Sequence, residues 1–167
     1  MSLEPVLTRE QQSGAQFVTS DGTKIWVVWR FEKKGQAMVG LTDLRMLGDE
    51  WADLGGHAWP AEAAAGAAAA IVELAAKNPP PPLSEADAKL QAREPESSPT
   101  STWVLPISKT AKLLVFSTVY DGKPSVMIRR YVRKKATWNY DSYAVLDLAS
   151  ATKIAGYLLQ GDQLSSR

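Results

Sequence analysis

The sequence predicts an α+β fold built from two copies of one order of elements, four strands followed by a helix. Residues 17–59 and 101–146 are rich in β-branched and aromatic side chains, interrupted by turn signals such as Asp21-Gly22 and Asp121-Gly122. A helical stretch follows each of these regions. The proline-rich segment between the two copies is typical of a linker.

The size and composition of the chain narrow the class of protein. A chain of 167 residues, 45% hydrophobic and 22% charged, fits one globular domain or two small ones that share a core. The lack of cysteine excludes disulfides and thiolate metal sites and suits a reducing compartment. No apolar run reaches the length of about 18 residues that a membrane span needs, and the first residues lack a signal-peptide pattern. We therefore expect a cytoplasmic protein without a membrane partner.

Positive charge is concentrated in one part of the chain. Residues 36–100 carry ten acidic and four basic side chains, whereas residues 101–140 carry eight Lys or Arg and only one acidic residue, Asp121. Such segregation can create a basic face although the net charge is only +1.

The predicted elements divide the chain into five segments. In the first copy we expect strands at 17–19, 24–31, 37–47 and 51–59, and a helix at 60–77. In the second we expect strands at 103–107, 113–120, 124–134 and 143–146, a turn or strand start at 137–141, and a helix at 149–160. Asp147 or Ser150 would cap that helix. The segments are a flexible N-terminus (1–16), the first unit (17–78), a proline-rich linker (79–100), the second unit (101–161) and a tail (162–167).

The strand predicted at 124–134 has a basic and aromatic face. Because successive side chains of a strand point to opposite faces, one face carries the mostly apolar set Val126, Ile128, Arg130 and Val132. The other face carries Met127, Arg129, Tyr131, Arg133 and Lys135. Cations neutralise phosphates and flat rings stack on bases, so the second face suits nucleic acid. The alternative is a solvated outer face of a sheet.

A short motif in the second copy resembles a known family. Its residues are an aromatic residue, a Gly-Lys turn and an apolar-x-Ile-Arg-x-Tyr strand: Tyr120, Gly122-Lys123, Val126, Ile128-Arg129 and Tyr131. The motif lies within a stretch of about fifty residues, 108–160, that resembles the single-stranded-DNA-binding family of the transcriptional coactivator positive cofactor four. The Whirly and Pur-repeat proteins belong to the same wider group, and Pur-repeat proteins pair two units within one chain.

The resemblance implies a fold and a binding surface. Each ββββα unit would be a curved antiparallel sheet backed by a helix, and the two units would form an internal pseudo-dimer that cradles unpaired strands. Tyr120 and Lys123 would flank the phosphate path, and Arg129 would lie on the binding surface. Trp138 or Tyr140 would supply a stacking ring where the family's pattern has an aromatic residue and this chain has Val132.

We therefore expect a protein that binds single-stranded DNA, or RNA, with little sequence preference. Phosphates would be held by Lys123, Arg129, Arg133, Lys134 and Lys135, and bases would stack on Tyr131, Trp138 and Trp26. In the first copy, Trp26 and Arg30 share one strand face, with Lys33 and Lys34 at its end. The protein would act alone or as a homo-oligomer through its helix or sheet faces. The alternative is a protein-interaction or scaffold domain whose basic strip meets an acidic partner.

The remaining polar residues predict no enzyme, metal or cofactor site. His57 has no ligand-type neighbour at a metal-site spacing, and there is no phosphate-binding glycine loop or nucleophile motif. The spacing of Asp43, Asp49, Glu50 and Asp53 is irregular, as on a solvated rim. Trp29, in phase with Ile25, Val27 and Phe31, is predicted to be a core residue.

Overall fold

The computed structural model describes residues 7, 12, 14–19, 22–76 and 102–159. It confirms the α+β class, with two antiparallel sheets and two helices. The first sheet contains a short edge strand β1 (Ala15–Val18) and three longer strands, β2 (Lys24–Lys33), β3 (Gln36–Leu47) and β4 (Glu50–Pro60), and is followed by α1 (Ala61–Ala76). The second contains β5 (Thr102–Ser108), β6 (Ala111–Tyr120), β7 (Lys123–Lys134) and β8 (Thr137–Asp147), and is followed by α2 (Leu148–Leu159). Neighbouring strands in each sheet are consecutive in sequence.

The elements of the two halves are evenly spaced along the chain. Each element of the second half begins 87 residues after its counterpart (102 − 15 = 87 for β5 and β1). The same interval separates Lys24 from Ala111, Gln36 from Lys123, Glu50 from Thr137, and Ala61 from Leu148. In both halves the pairing of the third and fourth strands shifts register, between Thr42 and Leu44 and between Arg130 and Tyr131. One backbone arrangement is thus built twice from different side chains.

The hairpin that joins the second and third strands is also repeated. Lys34 and Gly35 have φ values of 51° and 76°, and Asp121 and Gly122 have 50° and 70°. Two successive residues with positive φ form the turn whose twist matches that of the flanking strands, and glycine adopts this conformation without steric cost. The turn predicted at Asp121-Gly122 is confirmed.

One apolar core lies between the sheets and includes both helices. The helices contact each other, and each contacts strands of both sheets: α1 touches β3 to β7, and α2 touches β1, β2, β7 and β8. Fully buried alanines such as Ala64, Ala67 and Ala68 allow this close approach. A Cβ on Gly66 of α1 would lie 3.3 Å from a methyl carbon of Leu105 in β5. The two halves therefore share one core.

Two residues predicted to face nucleic acid lie on the core side of the first sheet. Trp26 is 1% exposed and belongs to the shared core, so the prediction of an available stacking ring is wrong. Arg30 donates from Nη2 to the carbonyl oxygens of Leu158 (2.9 Å) and Tyr157 (3.4 Å). A cation bound to the last carbonyls of a helix also complements its dipole, so Arg30 joins the first sheet to α2 rather than facing a ligand.

The outer face of the first sheet has its own apolar cluster. Leu7 packs there with Ile25, Val27 and Leu44, and with the half-buried Trp29 and Trp51. Trp29 was predicted in the core, but it lies across the outer face, where its Nε1 donates to Thr42 Oγ1 (3.1 Å). Its ring stacks on Phe31, with ring centres 4.6 Å apart. Leu7 comes from the segment predicted to be flexible, and it is buried because this cluster covers it.

Several predicted boundaries differ from the structure. β4 runs through Gly55-Gly56 without a break because the register shift accommodates that stretch. β8 includes residues 137–141, which the sequence left as a turn or strand start. Asp147 is the cap of α2, since its carboxylate accepts bonds from the Ser150 N–H and Oγ, both 2.9 Å long. The linker 79–100 and the tail 162–167 lie outside the described residues.

The position of Trp29 predicts opposite effects for two glycine substitutions. A Cβ on Gly40 would lie 2.2 Å from Trp29 Cε2, whereas one on Gly156 of α2 would meet nothing within 4 Å. We expect Gly40→Ala to lower the free energy of unfolding by about 1–3 kcal/mol through overpacking. We expect Gly156→Ala to raise it by up to about 1 kcal/mol through helix propensity. Urea denaturation measures both, and equal stabilities of the two variants would contradict the close approach of Trp29 and Gly40.

Candidate nucleic-acid interface

The outer face of the second sheet gathers cations and aromatic rings. Residues opposite each other in antiparallel strands share a face, and the register pairs Arg129 with Tyr143, Tyr131 with Tyr140, and Arg133 with Trp138. On the other side of β7, Tyr131 lies opposite Lys112, and Met127 opposite Phe116. We use the name basic aromatic face for the set Lys112, Phe116, Arg129, Arg133, Trp138, Tyr140 and Tyr143.

The alternation predicted for β7 is confirmed. Val126 and Ile128 belong to the shared core, whereas Met127 and Tyr131 pack with Leu114 and Phe116 on the outer side. Tyr131, however, is 1% exposed, and its ring meets that of Tyr140 edge-on with centres 6.2 Å apart. The predicted exposure of the Tyr131 ring is therefore wrong, because neighbouring side chains of the same face cover it.

Arg129 lies at the centre of the basic aromatic face. Its guanidinium carbon is 5.3 Å from the ring centre of Phe116 and 5.9 Å from that of Tyr140, within the range of cation–π attraction. Its Nε is 3.0 Å from Met127 Sδ. Within the described part of the chain, no carboxylate lies at ion-pair distance from Arg129. By contrast, Arg130 on the opposite face of β7 pairs with Asp141 at 3.3 Å.

Tyr140 and Tyr143 are the most accessible rings of this face. They are 48% and 45% exposed, and their ring centres are 6.0 Å apart with an interplanar angle of 33°. Burial of the Tyr140 hydroxyl raises the pKa of that phenol, and neighbouring Tyr143 adds to the effect. Tyr140 therefore stays neutral near pH 7, as suits a ring that would stack within a polyanion.

The remaining predicted residues are distributed over three places. Trp138 is half-buried on the basic aromatic face, with Lys112 Nζ 4.7 Å from its ring centre, and Lys134 and Lys135 are exposed at the hairpin beside it. Tyr120 and Lys123 lie at the opposite end of the 12-residue strand β7, about 36 Å away at about 3.3 Å per residue.

Lys33 and Lys34 lie away from this face. They line a groove of about 270 Å³ at the end of the first sheet, together with Ile107 and Arg130. The structure thus brings Arg129, Arg133, Lys134, Lys135 and Trp138 together and separates the other predicted residues from them.

Lys112, Phe116 and Tyr143 complete the face, and the sequence analysis did not identify them. The period of β6 indicates that Lys112, Leu114 and Phe116 share one face, but it does not reveal that this face is the one bearing Arg129. That assignment needs the pairing of β6 with β7. Tyr143 is placed opposite Arg129 by the register shift near Arg130 and Tyr131, which no local sequence signal marked.

The first sheet has no comparable cationic surface at the equivalent positions. The residues 87 positions earlier than Lys112, Arg129, Arg133, Tyr140 and Tyr143 are Ile25, Thr42, Met46, Asp53 and Gly56. Only Trp138 has an identical counterpart, Trp51. The basic aromatic face is therefore specific to the second half.

The acidic residues of the first half are engaged locally. Asp43 Oδ2 pairs with Lys24 Nζ (3.4 Å) and Arg45 Nη2 (3.2 Å), and Asp53 Oδ1 accepts the Gly55 N–H (2.8 Å). Burial lowers the pKa of Lys24, against the raising effect of Asp43. Among the described residues, no three His, Asp or Glu side chains are grouped so as to hold a metal ion.

No protein-family model matches the chain, and no curated protein matches it in sequence. The resemblance to the positive-cofactor-four family therefore stays a prediction based on the motif residues of β7 and its preceding turn. Neither described helix is long and apolar enough to cross a membrane.

The position of His57 predicts a pH-dependent stability. His57 stacks on Trp59 with ring centres 6.0 Å apart, and burial lowers the pKa of its imidazole below 6.5, opposed by the charge of Asp43. Because the unfolded chain then binds a proton more readily, this contribution to stability is complete above about pH 6.5 and is lost at lower pH.

We expect the wild type to lose stability relative to His57→Gln as the pH falls from about 8 to about 5. Urea midpoints of the two proteins across this range measure the difference. A difference that stays constant with pH would contradict a buried, neutral His57.

Proposed function

We propose that this protein binds single-stranded nucleic acid, DNA in the first instance, across the basic aromatic face of its second sheet. The observation that carries the proposal is the position of Arg129. Its charge lies among the rings of Phe116 and Tyr140 and has no carboxylate at ion-pair distance in the described chain. A phosphate is the natural counter-charge for a guanidinium in this setting.

The face offers both interactions that an unpaired strand needs. Arg129, Arg133, Lys134 and Lys135 would neutralise phosphates, while Tyr140 and Tyr143 would stack with bases. In a duplex the base faces are hidden by their neighbours, so these tyrosines favour a single strand. Contacts to phosphates and ring faces carry little sequence information. Binding should therefore be salt-sensitive and largely sequence-tolerant, and we propose no catalytic activity.

The proposal includes an internal pseudo-dimer of two curved ββββα units with unequal roles. The uniform interval of 87 residues, the repeated register shift and the shared core support two equivalent units. The apolar outer face of the first unit, covered by Leu7, supports a structural role for that unit. The cysteine-free composition suits a reducing compartment and supports a cytoplasmic location.

Two neighbouring arginines provide a matched test. Arg129→Gln removes a charge from the basic aromatic face, whereas Arg130→Gln removes the same charge from the opposite face of β7, where Arg130 already pairs with Asp141. We expect Arg129→Gln to weaken binding of a short single-stranded oligonucleotide about tenfold. It should also lower the slope of log affinity against log salt by about one.

Arg130→Gln should leave both quantities nearly unchanged. Fluorescence anisotropy of a labelled oligonucleotide at several salt concentrations measures both variants. Equal losses in the two variants would contradict the assignment of the face. Equal affinity for duplex and single strand, or no binding at low salt, would contradict the proposed function and favour an acidic protein partner for this face.

The two exposed tyrosines predict a second effect on binding. Tyr140→Ala and Tyr143→Ala should each weaken single-strand binding by about 1–3 kcal/mol, because each removes a stacking surface. Tyr140→Phe and Tyr143→Phe keep the ring and should bind like the wild type. If the phenylalanine variants lose as much affinity as the alanine variants, the hydroxyl groups rather than the rings make the contact.

A further inference from the structure

A cleft of about 290 Å³ lies between the two sheets, next to the basic aromatic face. From the first sheet it is lined by Trp26, Asp43, Arg45 and His57, and from the second by Tyr120 and Tyr143. Tyr143 belongs to both the cleft and the basic aromatic face, and its ring centre is 6.0 Å from that of Tyr140. A strand stacked on Tyr140 and Tyr143 would therefore pass the mouth of the cleft.

Three buried polar atoms of residues that line this cleft make no hydrogen bond. They are Asp43 Oδ1, Arg45 Nε and Trp26 Nε1, and they make up half of the six such side-chain atoms among the described residues. Buried polar groups are nearly always paired, because an unpaired one loses its hydration without compensation. Their concentration at one cleft indicates a ligand that supplies the missing groups.

The three residues are held firmly in place. Asp43 Oδ2 is fixed by Lys24 (3.4 Å) and Arg45 Nη2 (3.2 Å), which leaves Oδ1 as the unpaired acceptor. Trp26 is packed in the shared core, and Lys24 Nζ lies 4.0 Å from the centre of its ring. The cleft thus presents one acceptor and two donors on rigid strands, the arrangement that recognition of a ligand edge requires.

This set of groups is complementary to the pairing edge of a pyrimidine. Cytosine presents one amino donor and the two acceptors N3 and O2, and thymine or uracil presents the N3–H donor and two carbonyl acceptors. Guanine offers two donors and one acceptor, and adenine offers one of each. The rings of His57, Tyr120 and Tyr143 provide aromatic walls, as in sites that read an extruded base.

We propose that the cleft holds one pyrimidine base turned out of a strand that lies on the basic aromatic face. The inference rests on the proposed function, and it adds a single position of base preference to otherwise sequence-tolerant binding. Asp43 accepts from the amino or imino N–H of the base, while Arg45 and Trp26 donate to its two acceptors.

The test compares oligonucleotides that differ at one position. The probes are a short oligo-adenine strand and the same strand with one central cytosine, thymine or guanine, measured by fluorescence anisotropy. We expect the cytosine and thymine strands to bind about tenfold more tightly than the oligo-adenine host, and the guanine strand to bind like the host.

Two variants remove the readout without touching the basic aromatic face. Trp26→Phe keeps the buried ring but deletes the Nε1 donor. In Asp43→Asn, the side-chain oxygen would turn to Lys24 and Arg45, so that the amide N–H₂ replaces the acceptor. We expect both variants to lose the tenfold gain while binding the oligo-adenine host like the wild type.

The outcomes separate this inference from the proposed function. Tight binding of the host with equal affinity for all four strands overturns the cleft and leaves the basic aromatic face intact. A pyrimidine gain that survives both variants also overturns the cleft, because the base is then read elsewhere. Failure to bind any strand overturns the proposed function, and the cleft assignment with it.

Discussion

The packing of α1 against α2 between the two sheets is the constraint on which the rest of this structure depends. Each helix contacts strands of both sheets, and its small side chains allow the layers to approach closely. Because the helices occupy one face of each sheet, any binding surface built on the sheets must use the outer faces or the line along which the sheets meet. Arg30 adds a polar link to this packing by binding the last carbonyls of α2 from the first sheet.

The repeated backbone carries two different outer surfaces. In the first half, apolar side chains gather around Leu7, and Trp29 lies flat across Gly40. In the second half, the corresponding strands bear Arg129 and a set of half-buried or exposed rings. Such a division lets one unit contribute mainly to stability while the other accepts the desolvation and charge repulsion that a cationic surface brings. The cleft between the sheets then brings groups of the stabilising unit within reach of a ligand on the other.

The sequence predicts the fold class and the alternation of β7 because both depend on local periodicity. Val126 and Ile128 lie in the core and Met127 and Arg129 on the outer side, as the period of two requires. The cap at Asp147 and the turn at Asp121-Gly122 follow equally from local chemistry. Periodicity does not tell which face of a strand meets the helices, and for this reason Trp26 and Trp29 were assigned to the wrong sides. Nor does it give cross-strand neighbours, so the covering of Tyr131 and the contributions of Lys112 and Tyr143 required the register between strands.

The central claim is that one outer face, on one half of a duplicated fold, receives a single strand. The most direct measurement is an NMR titration of isotope-labelled protein with a short single-stranded oligonucleotide, following the backbone amides of β2, β3, β7 and β8. The account predicts shifts concentrated at Arg129, Arg133, Tyr140 and Tyr143, with little change at Ile25 and Thr42 on the equivalent face of the first sheet. Shifts spread equally over both sheets, or centred on the outer side of the helices, would contradict it.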